Sequence, residues 1–292
     1  MKILITGALG HIGSGLIHSI CPGQFDEVRL IDNLSTQRYA SLFNLPKNIN
    51  FNFIEGDILT LDLDKLFKGI DVVIHLAAIT DATTSFDKKE LVMKVNYRGT
   101  EKVILACLKN GCKLFYPSTT SVYGMKSPYA ESKLKAERLL MYWSKKGLRF
   151  VVCRFGTIFG PSIGMRFHTA VNKFIWQAVH GEPITVWKTA LNQKRPYLDL
   201  HDAIRAINFI IDKDLFNNEI YNVLTANYTV NDILKVIKKR LPVKVSFVTT
   251  KIMNQLSYEV SNEEFIKTGF KFRGDLDKQI DKTIKLFRGF DN

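Results

Sequence analysis

Long apolar runs are missing from this chain, and that absence removes the membrane-spanning classes first. Its longest stretches, such as VVIHLAAI and INFII, have the length of a strand or short helix. The opening MKILITGALG runs into a glycine turn within a few residues, without the apolar stretch and small-residue cleavage site of a signal peptide. A soluble, cytoplasmic protein with no membrane partner is expected. Cysteine is scarce, and Cys21, Cys107, Cys112 and Cys153 form no CxxC pair and have no histidine at ligand spacing. The thiols are expected to be reduced and partly buried, with no metal bound. His168 and His201 lack any partner pattern and read as structural or surface residues, and His75 reads as a strand-end residue. No repeat or low-complexity stretch occurs, so a solenoid or fibrous chain is excluded.

What is present is ample apolar material and a surplus of positive charge. At 292 residues and 46% apolar content the chain can fill one large core or a main domain with a smaller appended one. Forty-one Lys and Arg against 28 Asp and Glu give +13, which suits nucleic acid, an anionic surface or acidic small substrates. The apolar runs KILIT, VRLID, FNFIEGD, DVVIHLAA, KLFYPS and FVVCRF read as buried strands. Between them lie helical patterns: GHIGSGLIHSI, a short turn near 61–68, KKELVMKVNYRGTEKVILACLKNG and YAESKLKAERLLMYWSKKG. This rhythm predicts an α/β fold, a Rossmann-type doubly wound parallel sheet. The rhythm breaks after about residue 160. The expected division is a dinucleotide-binding domain over 1–165 with a returning segment near 195–225, and a smaller substrate-binding lobe over 166–194 and 226–292.

ILITGALGHIGSG places Gly7, Gly10 and Gly13 after the first strand and into the first helix. Glycine suits a tight turn, close backbone approach to a pyrophosphate, and close packing of helix on strand, with the helix N-terminus facing the anion. The spacing is GxxGxxG rather than GxGxxG. Asp32 ends the second strand 19 residues after Gly13, where a carboxylate can accept both hydroxyls of an adenosine ribose. It would repel a 2′-phosphate, so NAD is favoured over NADP, although Arg38 argues weakly the other way. Tyr129 and Lys133 are four apart and share a helix face. An ammonium beside a phenol favours the phenolate, so Tyr129 can remove a proton from a substrate hydroxyl. Tyr123 has Ser127 at the same offset and no such cation, so it is expected to pack at the end of its strand.

TGALGHIG, DNLST, GDI at 56–58, HLAA at 75–78, VNYRGT at 95–100, STTSVYG and YAESK, in that order, resemble the extended short-chain dehydrogenase/reductase family. Within it the sequence is similar to the NAD-dependent epimerases and dehydratases of nucleotide sugars. The resemblance implies that Asp57 and Ile58 hold the adenine, that Ala77 and Ala78 line the pyrophosphate and ribose, and that Asn96 orders the neighbouring loop. It places His11, Ile12 and Asn33 in the same cofactor set, with Tyr129 and Lys133, and makes Thr119 the hydroxyl that bonds the reacting oxygen. Where the family's 4,6-dehydratases carry Asp-Glu, this chain has Thr120 and Ser121, whose pKa values lie far from neutrality. Dehydration is therefore disfavoured, and C4 epimerisation through a transient keto-sugar is expected.

VVCRFGTIFGP resembles the family's LRxxNVYGP, with Thr157 in place of the asparagine that contacts the substrate pyrophosphate. QKRPYLDLHDAIRAI resembles RDFVYVDDVA and implies Arg195 as a phosphate clamp. The family's second phosphate arginine is missing, with only Lys251 nearby, and the nucleotide stays open among UDP, GDP, TDP and CDP. A homodimer through helices at about 90–110 and 129–146 is implied, with Leu139, Leu140 and Trp143 suited to the contact. The short MKSP passage between Gly124 and Tyr129 predicts a more open sugar pocket. The alternatives are a dehydratase, decarboxylase or ketoreductase of the same family, or a silent member that binds RNA through its basic surface. Nucleic acid is the less expected partner, because a pure binder has no need of a tuned tyrosine.

Overall fold

A computed structural model describes residues 1–81, 84–124, 127–248 and 257–289. Elements are numbered in chain order. Seven strands form one parallel sheet: β1 (Lys2–Thr6), β2 (Glu27–Asp32), β3 (Phe51–Glu55), β4 (Val72–His75), β5 (Lys113–Thr119), β6 (Phe150–Phe155) and β10 (Ile220–Val223). Their order is β10-β6-β5-β4-β1-β2-β3. The chain builds outward from β1 to β3, then crosses back to β4 and builds the other way. The carboxyl ends of β1 and β4 therefore part at a topological switch point, where open α/β sheets hold ligands.

Strand residues alternate between two cores, as a period of two requires. Ile3, Ile5, Val28, Leu30 and Ile74 pack with Leu16 and Ile17 of α1 (His11–Ser19) and Ile204 and Ile207 of α7 (Leu200–Asp212). Leu4, Ile31, Val73, Leu114 and Val152 pack on the other face with Val103 and Ile104 of α4 (Thr100–Asn110) and Ala136 and Leu140 of α5 (Pro128–Ser144). Each core strand is buried on both faces, which explains the unbroken Val, Ile and Leu runs. Short α2 (Leu63–Leu66) lies in the expected turn region.

The pattern over KKELV to LKNG forms no single α-helix. It divides into α3 (Lys89–Met93), a π-helical stretch Lys94–Gly99 and α4. The wider turn aims buried Asn96 at Ile79, whose N–H and C=O it binds at 2.8 Å each, while its amide also donates to Ser132 at 3.0 Å. π-bulges of this kind occur where a side chain must leave the regular helical path. α4 stops at Gly111, which takes the left-handed conformation (φ 71°) that glycine adopts without penalty.

A second layer of structure lies beyond β6. β7 (Thr157–Phe159), β9 (Lys194–Asp199) and β11 (Ala226–Thr229) form a three-stranded sheet, and β8 (Ile184–Trp187) pairs with β12 (Val245–Val248). Around them α6 (Ala170–Val179), α8 (Val230–Lys238) and α10 (Leu276–Arg288) share a core that includes Phe174, Ile175, Ile233, Ile237, Ile280 and Ile284. Short α9 (Glu263–Lys267) sends Phe265 into the main core instead. Among the described residues no helix is long and apolar enough to cross a membrane. The four cysteines are free thiols, three of them buried. Leu140 is fully buried in the chain's own core, and Leu139 and Trp143 are partly buried and pack against that core. The exposed apolar side chains of α3, α4 and α5 are Leu91, Leu105, Met141 and Tyr142.

Candidate active site

The glycine turn is built so that nothing larger fits. Gly7 has φ +64°, and a Cβ there would lie 2.6 Å from the Ala77 amide nitrogen; at Gly13 it would lie 2.4 Å from the Ala8 carbonyl oxygen. Gly10 starts α1 without any side-chain cap, so the first amides of the helix remain open to an anion. Asp32, at the end of β2, accepts from Leu9 N at 3.0 Å and Leu34 N at 2.9 Å, one oxygen each. Each oxygen retains acceptor capacity for a ribose hydroxyl. Asn33 reaches from there to Asp57, donating at 3.1 Å, and Asp57 in turn accepts from Leu59 N at 2.8 Å. The side chain of Ile58 is buried under Gly99, so contact with a ligand would fall to its backbone. This donor and acceptor set fits a dinucleotide.

A cavity of about 430 Å³ opens in front of this turn. Gly7, Gly10, His11, Ile12, Gly13, Ala78, Thr119, Tyr129, Lys133, Thr157 and Arg195 all line it. The chain thus brings together, from five separate stretches, the residues expected for chemistry and for the two phosphate groups. Asp32, Asn33, Asp57, Ile58, Ala77 and Asn96 lie outside the cavity lining. The first four cluster around the ends of β2 and β3, Ala77 abuts Gly7, and Asn96 acts on the 79 loop.

The reactive passage starts at the end of β5. Thr119 accepts from Ser121 N at 3.1 Å, and the α5 helix begins at Pro128 with Ser127 accepting from Ala130 N at 3.1 Å. That start places Tyr129 on the first turn, facing Thr119. Burial pushes the Tyr129 phenol up, while Arg166 and a hydrogen bond with Thr119 act to lower it. The Lys133 ammonium donates to the Pro117 carbonyl at 2.8 Å and lies 4.6 Å above the Tyr116 ring, and Arg166 is a second cation that acts on Tyr129. Burial lowers Lys133 to about 7, opposed by Glu137, and Lys133 itself is 3% exposed.

Arg166 carries no motif. It sits in the loop between β7 and α6 and enters the cavity only because that loop docks on the glycine turn: Ser162 donates to the His11 carbonyl at 2.9 Å and Gly164 N to Ser14 Oγ at 2.9 Å. Of Thr120 and Ser121, Thr120 is buried and bonds the Phe155 carbonyl at 3.3 Å, and only Ser121 lines the cavity. Among the described lining residues Asp81 is the only carboxylate.

Tyr123 does not pack inward. It is 51% exposed, and its hydroxyl accepts from Arg154 at 2.6 Å and donates to Asn222 at 2.9 Å. Gly124 is backed by the ring of Tyr258, where a Cβ would meet ring carbon at 2.7 Å, and Arg195 stacks 4.8 Å from the same ring. Tyr258 therefore stands beside Gly124, at the start of the short passage. Met125 and Lys126 of that passage, and Lys251, lie outside the described residues.

Two imidazoles are structural parts of this crevice. His11 donates through Nε2 to the Gly160 carbonyl at 2.8 Å, and His75 lies between Thr6 at 2.7 Å and Thr100 at 3.0 Å. Burial holds them neutral, lowering His11 to about 4 and His75 to about 3. The unfolded chain binds these protons first, so the associated stability is complete above about 6.5 and is lost as pH falls through 4, with up to about 3 kcal/mol at stake for each. The urea midpoint should fall steeply between pH 6.5 and 4, and less steeply in His75→Gln; equal slopes would refute the assignment.

Comparison with known proteins places this geometry. Residues 3–223 match the NAD dependent epimerase/dehydratase family. An uncharacterized UDP-glucose epimerase of Bacillus subtilis, YtcB, is 29% identical over 90% of this chain and 88% of its own length. Among solved structures, a UDP-glucuronic acid 4-epimerase from Bacillus cereus, in complex with UDP-glucuronic acid and NAD, superposes with a TM-score of 0.88 at 27% identity, covering 98% of this chain and 100% of that one. A UDP-N-acetylglucosamine 4-epimerase from Methanobrevibacter ruminantium, in complex with UDP-N-acetylmuramic acid, gives 0.89 at 25% identity over 99% and 98%. With its sheet order, its glycine turn and the cavity in front of it, the chain belongs to the NAD-dependent epimerase/dehydratase family.

Proposed function

We propose that this protein is an NAD-dependent nucleotide-sugar epimerase acting at C4. The observation that carries the reading is the meeting of Thr119, Tyr129 and Lys133 in one cavity with the glycine turn, next to Thr120 and Ser121 where dehydration needs an acid pair. Gly7, Gly10, His11, Ile12 and Gly13 would cradle the pyrophosphate; Asp32, Asn33, Asp57 and Ile58 would hold the adenosine; Ala77, Ala78 and Asn96 would shape the wall between. Bound NAD supplies the hydride acceptor and donor for the sugar carbon. Tyr129 takes the proton of the C4 hydroxyl and later returns it, Thr119 bonds the same oxygen, and Lys133 keeps positive charge beside them. Thr157 and Arg195 would anchor the diphosphate, with a guanidinium suited to two phosphate oxygens. On this reading residues 1–165 and 195–225 serve the cofactor, and 166–194 and 226–292 the sugar nucleotide.

A homodimer belongs to the same proposal, supported by the exposed Leu91, Leu105, Met141 and Tyr142 on three neighbouring helices. So does a cytoplasmic location, which suits three buried free thiols. Membranes and nucleic acid have no part in it. The test is incubation of the NAD-loaded protein with UDP-, GDP-, TDP- and CDP-sugars, reading product mass and C4 stereochemistry by NMR. Sugar acids belong in the panel because Arg166 stands beside Tyr129 in the cavity. Product of unchanged mass and inverted C4 is expected; loss of water or carbon dioxide would replace epimerisation by the alternative chemistry.

A further inference from the structure

Further along α5 on the face that carries Tyr129 and Lys133, outside the cavity lining, lies a buried carboxylate that the proposed chemistry does not use. Glu137 is 2% exposed and stands one helical turn after Lys133, as Lys133 stands one turn after Tyr129. Its oxygens are fully engaged: Ser118 donates to Oε1, Arg154 donates through Nε to Oε1 at 3.0 Å and through Nη2 to Oε2 at 2.6 Å. Ser118 is the residue between Pro117, whose carbonyl holds the Lys133 ammonium, and Thr119. The carboxylate thus pairs with half-buried Arg154, stands one helical turn from buried Lys133, and through Ser118 ties the helix of the base to the strand of its hydroxyl partner.

We propose that Glu137 is a positioning residue that keeps Lys133 an ammonium and holds it against the end of β5, so that the charge at the reaction centre depends on a group outside the cavity. An ion pair needed only to fasten α5 to β6 could be replaced by apolar side chains at little cost, since desolvation of buried charges offsets most of their attraction. The charged groups facing Lys133 explain why a carboxylate stands here. Tyr116 and His75 from β5 and β4, Tyr129 from its own helix and Arg166 from the loop after β7 offer no negative charge in their resting states, and Arg166 and burial both disfavour the ammonium, leaving Glu137 as the group that favours it. Arg154, bound at its other end by Tyr123, balances the carboxylate and fixes its direction.

The inference rests on the reading of Lys133 as a site residue, and it is tested without substrate. Lysine labelled with 13C at Cε is titrated by NMR in the NAD-loaded protein, with Lys133→Arg identifying the signal. Glu137→Gln should move the Lys133 midpoint down by about one pH unit, the size of effect one adjacent charge produces. Arg154→Gln breaks the same ion pair and leaves the carboxylate to Lys133 alone, so the midpoint should move up. A Lys133 midpoint unchanged in Glu137→Gln, with only thermal stability reduced, would make the pair a strap and overturn the proposal. Should Glu137→Gln not fold, an Arg154→Gln midpoint that is unchanged or lowered overturns it equally. With a turned-over substrate in hand, Glu137→Gln should lower kcat at neutral pH about tenfold with KM little changed.

Discussion

Tyr129→Phe should reduce turnover about a thousandfold while the protein stays folded and keeps its NAD, within the range by which a positioned acid or base accelerates proton transfer. The change removes one oxygen and leaves the ring. The ring is half-buried at the first turn of α5, whose start is fixed by Ser127 and Pro128 rather than by the phenol, so helix and cavity wall persist. What disappears is the acceptor for the sugar proton and the partner of Thr119. Loss of that single hydrogen bond should cost about 1 kcal/mol of stability. Dinucleotide contacts at the glycine turn and at Asp32 are untouched. Turnover measured on the nucleotide sugar identified by the panel, together with NAD released on denaturation, checks both halves. A variant that keeps wild-type kcat would remove Tyr129 from the base role.

The parts of this site that could be read from the sequence are those whose spacing along the chain is itself the structure. Gly7, Gly10 and Gly13 lie on one turn, and Tyr129 and Lys133 on one helix face, so short-range geometry decides where they point. The buried parallel strands were legible for a related reason, since a strand covered on both faces has to be apolar throughout. Arg166 was not legible, because only the docking of Ser162 and Gly164 on α1, some 150 positions away, brings it to Tyr129. Tyr258 reached Gly124 in the same long-range way. Glu137 is the intermediate case: its offset of four from Lys133 stood in YAESKLKAE, and only its burial and its bonds to Ser118 and Arg154 gave the offset a meaning.

The docked loop also links the two halves of the proposed chemistry. His11 holds the Gly160 carbonyl, Ser14 donates to Ser162 and accepts from Gly164 N, and a Cβ at Gly164 would lie 2.3 Å from the Leu9 carbonyl oxygen. The glycine turn that would receive the pyrophosphate is therefore the surface on which the Arg166 loop rests. A disturbance of the turn should reach the sugar side of the cavity as well as the cofactor side.

Gly13→Ala tests that coupling and carries the second large effect. In an ordinary helix the substitution stabilises by about 1 kcal/mol. Here the added methyl would meet the Ala8 carbonyl at 2.4 Å and the Gly7 carbonyl at 2.7 Å, both backbone, so the turn itself has to move. NAD affinity measured by equilibrium dialysis should fall at least about a hundredfold, and unfolding in urea should show a loss of about 3 kcal/mol, the scale of a core overpacking. Gly23→Ala is the matched control. Gly23 also lies in a turn, with φ +80°, but an added Cβ finds nothing within 4 Å. Its cost should stay near 1 kcal/mol, from backbone strain alone, with NAD affinity unchanged. If Gly13→Ala binds NAD as Gly23→Ala does, close approach at the turn is not what the glycines provide, and the cradle assigned to them fails.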